Sequence, residues 1–137
     1  MWWIYALLSA FFAAGTAILA KIGIKGIDSN LATAIRTVVI LVLAWGIVFF
    51  KNDHHGISSL SKQNWTFLLL SGLATGLSWI FYFKALQLGK VSQVAPVDKA
   101  SVAIAILLSA VFLGEPLTAK TILAVLMIIG ETIILIF

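Results

Sequence analysis

Cysteine is absent from the chain, which excludes disulfides, thiol nucleophiles and cysteine-ligated metal sites. Charge is scarce, with only 10% of residues being Asp, Glu, Lys or Arg, against about 25% in soluble domains. Proline occurs twice, at Pro96 in the first turns of an expected helix and at Pro116 in an expected break, so neither interrupts a helix centre. There is no Ser/His/Asp grouping, no phosphate-binding glycine loop and no histidine inside an apolar segment. The chain is therefore not expected to be an enzyme, and no cofactor or metal is expected. What is there is apolar: 62% of the 137 residues are hydrophobic, more than a water-soluble core of this size absorbs. Nine Lys and Arg against five Asp and Glu give a net charge of +4. The cations are spread singly rather than clustered, which speaks against a nucleic-acid partner and for interfacial anchors and buried functional charges.

Hydrophobic segmentation predicts an all-α polytopic membrane protein with five transmembrane helices, at 2–20, 31–50, 64–86, 92–113 and 118–137, forming one domain over 1–137. Each segment approaches the roughly 20 apolar residues that span a bilayer. A cleaved signal peptide is the rival for the first, but the basic n-region is missing and the apolar stretch exceeds a typical h-region. Gly23, Gly26 and Asp28-Ser29-Asn30 supply turn and N-cap chemistry before the second helix. That helix closes on Trp45, Phe49, Phe50 and Lys51, an interfacial pattern of aromatics followed by a cation. Residues 51–63 form the longest loop. Its Asp53-His54-His55 has no further ligand at metal-binding spacing and reads as solvated. Gly72 and Gly76 make a GxxxG spacing, a helix-contact face or mere tolerance of glycine. Thr118 is placed to cap the last helix.

Five spans put the termini on opposite sides, yet charge does not orient them. Loops on the N-terminal side hold Lys51, Lys62 and Lys120; the other side holds Lys21, Lys25 and Lys90, with Lys84 near its edge. A near tie exerts little orienting force, so either orientation is insertable.

Arg36, Lys84, Asp98, Lys99 and Glu131 fall within the predicted helices. Each costs about 2.5–3.5 kcal/mol at a helix centre, so an inward role is expected. At 1.5 Å per residue they lie in a common layer, roughly 7–10 Å from one boundary with Lys84 somewhat shallower. They either cancel as buried pairs, such as Asp98 with Arg36 or Lys84, or line a water-accessible cavity. Adjacent Asp98 and Lys99 are about 100° apart on a helix and are expected to serve different partners. Trp79, Tyr82 and Phe83 follow at i, i+3, i+4 and suit an apolar substrate wall, although interfacial packing serves Phe83 equally well. Gln93, Ser78 and Ser101 are candidate neutral hydrogen-bonding groups.

The run Trp79-Ile80-Phe81-Tyr82-Phe83-Lys84-Ala85-Leu86-Gln87-Leu88-Gly89, then Val94-Ala95-Pro96-Val97-Asp98-Lys99, then Phe112-Leu113-Gly114-Glu115-Pro116-Leu117, resembles the EamA family of the drug/metabolite transporter superfamily. The resemblance covers essentially the whole chain and places Arg36 where such proteins often carry an arginine. Most of these transporters hold two five-helix units in tandem with inverted topology, whereas this chain looks like the stand-alone single-repeat subgroup. The resemblance implies an integral protein of a prokaryotic cytoplasmic (inner) membrane, in contact with lipid and a small-molecule substrate. It also implies a secondary transporter of a small metabolite; the charged layer then offers Asp98 or Glu131 as the titrating carboxylate and Arg36, Lys84 and Lys99 as candidate anion anchors, with proton coupling expected if substrate and proton compete for that layer. Because access alternates between repeats, a single repeat needs a second copy: a homodimer, antiparallel by the tied charges, or a homologous partner subunit. The alternative is a non-transporting membrane scaffold or accessory subunit.

Overall fold

The computed structural model describes all 137 residues and is helical throughout: α1 (Trp2–Gly23), α2 (Ser29–Phe50), a 3₁₀-helix (Asp53–Ser59), α3 (Lys62–Leu88), α4 (Val91–Asp98), α5 (Ala100–Phe112) and α6 (Ala119–Ile136). Five helical stretches are long and apolar enough to cross a membrane, α4 and α5 together making the fourth. Each boundary has a local cause. Asp28 sits in extended backbone before α2, and its carboxylate accepts from Asn30 N–H (2.8 Å) and Leu31 N–H (3.2 Å), satisfying donors that the helix leaves open. Ser61 does the same for α3 by accepting from Asn64 N–H at 3.1 Å. Thr118 accepts from Thr121 N–H at 3.2 Å at the start of α6, as its residue type suggests.

The loop at 51–63 is more ordered than its polarity suggests. Asn52 takes a left-handed φ of 58°, a conformation that Asn tolerates, and turns the chain from α2 into the 3₁₀-helix. There the His54 ring packs between Phe49 (centroids 5.5 Å) and His55 (4.0 Å), so this histidine is half-buried rather than solvated.

The fourth span departs from the continuous helix expected over 92–113. It stops at Asp98 and restarts at Ala100. Lys99 N–H reaches Pro96 O at 2.8 Å and Val102 N–H reaches Lys99 O at 2.9 Å, so the ladder tightens to i→i−3 bonds. Pro96 has no N–H to give the turn before it, and the tightening follows within three residues. The span ends where Gly114 adopts φ 67°, which costs a residue without Cβ little.

Contacts group the chain into two compact units, Leu19–Gln87 and Met1–Ile18 with Leu88–Phe137. The first has a core of Ala20, Ile24, Ala32, Phe83 and Leu86, with Ser29 and Thr33 buried among them. Lys21 of α1 donates to Leu86 O in the last turn of α3, placing a cation on open carbonyls at the negative end of that helix. Gln87 Nε2 donates to Ile27 O at 2.9 Å. In the second unit α6 packs against both α4 and α5, with Ala103 and Val125 buried. Hydroxyls inside the spans bond to carbonyls four residues back, as in Thr33 to Ser29 O (2.8 Å), Thr75 to Ser71 O (2.9 Å) and Thr132 to Ile128 O (2.8 Å). No polar group of theirs is then offered to lipid. Only eight apolar residues are buried, a core too small for water but adequate in lipid, where exposed Leu and Ile meet tails as apolar as themselves.

Candidate functional site

In the unit Leu19–Gln87 the site is built by α2 and α3. Arg36, two turns into α2, sets its guanidinium carbon 4.3 Å from the centroid of the Phe83 ring and 5.9 Å from that of Trp79. Trp79 and Phe83 are four residues apart and so share the α3 face that Arg36 meets. Phe83 is 1% exposed and stands edge-on to Tyr82 at 5.7 Å, and Tyr82 lies within electrostatic reach of Arg36. The two sequence-level roles of Phe83 merge: it is buried packing, and the packing fixes a ring under the cation. Neither carboxylate of this unit, Asp28 or Asp53, forms an ion pair with Arg36. Lys84 follows Phe83 directly but turns away, exposed, with its ammonium 3.4 Å from Gln87 Oε1 near the end of α3.

In the other unit the break between α4 and α5 brings the neighbours Asp98 and Lys99 together, Lys99 Nζ to Asp98 Oδ2 being 3.8 Å. This corrects the expectation that they serve different partners. The 100° separation holds in a regular helix, but Lys99 lies outside both helices, and its four-carbon stem reaches back. The pair is open, with side chains 57% (Lys99) and 35% (Asp98) exposed.

Glu131 of α6 lines a groove of about 530 Å³ with Met127, Gly130, Ile134 and Leu135 of the same helix and Ser92 and Pro96 of α4. It is a carboxylate in a mostly apolar cleft within a membrane span, with the Ser92 hydroxyl as the polar neighbour. Ser92 and Pro96 had no place in the sequence-level site, although their i, i+4 spacing, like Met127, Gly130, Glu131 and Ile134 at i, i+3, i+4 and i+7, marks one helix face. Gln93 is exposed in the first turn of α4 and does not line this groove. Ser78 and Ser101 are exposed on their helices.

The chemistry on offer is recognition rather than bond-making: a cation held by aromatic rings, an ion pair at a helix break, and a carboxylate in an apolar groove. Comparison with known proteins agrees. The family model of the EamA-like transporter family matches residues 1–137. The chain is 46% identical over 134 residues to an uncharacterized transporter in the cobO 3′ region of Sinorhizobium sp., a match covering 98% of this chain and 95% of that protein. No solved structure matches significantly. The helices, the intramembrane charges and these matches together make the chain an integral membrane protein that belongs to the EamA-like transporter family.

Proposed function

We propose that the protein is a secondary transporter of a small metabolite in a prokaryotic cytoplasmic membrane, coupled to protons, and that its working form pairs two inverted five-helix repeats. The observation that carries the proposal is the interrupted fourth span. Transporters of this kind build substrate and ion sites at discontinuous helices, where backbone released from the ladder and adjacent charges face a cavity rather than lipid. Here the interruption falls at Asp98 and Lys99. Glu131, in its apolar groove, is the second carboxylate able to carry a proton. The bacterial relative supports the prokaryotic membrane.

Pairing is supported by what one chain leaves open. A Cβ added at Gly72 or Gly76 would meet nothing within 4 Å, so the GxxxG face of α3 is presented outward, where another helix backbone can approach closely. The second repeat is either another copy of this chain, antiparallel, or a homologous subunit. The Asp98–Lys99 pair also favours a second reading, a scaffold in which the charges only neutralise one another. Uptake of labelled metabolites into proteoliposomes separates the two. Asp98→Asn should abolish uptake while the purified protein keeps its helical circular dichroism and its elution profile; loss of folding, with no uptake by the unaltered protein, would select the scaffold.

A further inference from the structure

We infer that Arg36, held over the Phe83 ring and beside Trp79, is the recognition group for a small organic monocarboxylate, which it grips through the N–H donors of its guanidinium. The inference rests on the transporter reading and names the substrate class of the α2–α3 site. It begins with an imbalance. A guanidinium carries five N–H donors and no acceptor, and Arg36 stands about 10 Å into a membrane span at 1.5 Å per residue from Ser29. Asp28 and Asp53, the carboxylates of its own unit, form no ion pair with it. Aromatic rings flank the group: its central carbon is 4.3 Å from the Phe83 centroid and 5.9 Å from that of Trp79. A guanidinium is a planar fork of donors, the geometry that meets the two oxygens of a carboxylate in parallel.

Charge at the site then selects among anions. Lys84 is drawn to Gln87 and Lys21 is bonded to Leu86 O, so these two lysines are engaged at the end of α3. Arg36 remains as one positive charge, which balances a monoanion and leaves a phosphate dianion half-compensated. The ring faces of Trp79 and Phe83 add an apolar surface next to the fork. They fit an acid whose carboxylate carries an aryl or short alkyl body better than a compact hydrophilic one.

The test measures equilibrium binding to the purified full-length chain in lipid nanodiscs, using benzoate, hexanoate, benzamide and phenyl phosphate as probes. Benzoate and hexanoate should bind and raise the melting temperature, benzamide should do neither, and phenyl phosphate should bind no tighter than benzoate. Arg36→Lys keeps the charge but removes the fork. It should melt, without ligand, near the unaltered protein and lose about 10- to 100-fold in affinity for benzoate, the range expected for charge-assisted hydrogen bonds. Arg36→Gln should lose binding altogether. Equal affinity for benzamide and benzoate, unchanged benzoate affinity in a folded Arg36→Lys, tighter binding of the phosphate, or no binding of either acid would each overturn the assignment. Arg36-dependent benzoate binding without any exchange of acid in proteoliposomes would uphold the site and overturn the transporter reading. Transport that persists for other solutes while the acids fail to bind would do the reverse.

Discussion

Replacing Phe83 by leucine isolates what the ring contributes beyond its bulk. In a soluble core, truncating a buried phenylalanine costs about 3–5 kcal/mol, but much of that is transfer of apolar surface from water. In a bilayer the unfolded reference is already in hydrocarbon, so packing and the cation contact are the main terms left. Leucine keeps an apolar side chain at this 1% exposed position, and hydrophobic exchanges of that kind cost less than about 1.5 kcal/mol. The guanidinium, 4.3 Å from the ring centroid, loses a cation–π contact worth about 0.5–2 kcal/mol. Phe83→Leu should therefore destabilise the protein by about 1–3 kcal/mol. A double-mutant cycle with Arg36→Gln, measured by reversible unfolding in mixed micelles, should show a coupling of about 0.5–2 kcal/mol. Additivity within about 0.3 kcal/mol would mean that Phe83 merely fills space, and the placement of Arg36 by its ring would lose its physical basis.

Gly72→Leu should leave the unfolding of the isolated chain nearly unchanged, because a Cβ there meets nothing within 4 Å, yet it should abolish cross-linked dimers; intact dimers would place the interface elsewhere. Asp28→Ala removes the acceptor of two α2 amides and should cost about 1 kcal/mol, read as a lower unfolding midpoint, whereas Asp28→Asn should retain most of it. An accessible cysteine at the C-terminus should be labelled from both faces of the membrane. Two lysines added to 51–63 or to 21–30 should each impose a single orientation, opposite in the two cases, and activity lost in each variant should return on coexpression. Labelling from one face only, in an active protein expressed without any homologous subunit, would refute the antiparallel homodimer.

The helical spans and their ends were legible in the sequence because bilayer thickness and backbone satisfaction leave one solution for long apolar segments. The caps at Asp28 and Thr118 were readable for a similar reason: each acts on residues two or three positions away. Membership in the EamA family was legible too, since its motifs are strung in order along the chain. Residue spacing on a regular helix, by contrast, pointed away from the Asp98–Lys99 pair. Lys99 could turn back to its neighbour only because the fourth span is interrupted there, and a proline near a helix start does not announce a break three residues later. The sequence also marked Arg36 and Phe83 as notable without joining them. They lie 47 positions apart on different helices, and only the packing of α2 against the end of α3 decides that one ring carries the cation while Lys84, its immediate neighbour, turns to Gln87. Local geometry follows from short stretches of chain, whereas the partner of a charge within a bilayer depends on which helix faces meet, a choice distributed over the whole set of packed side chains.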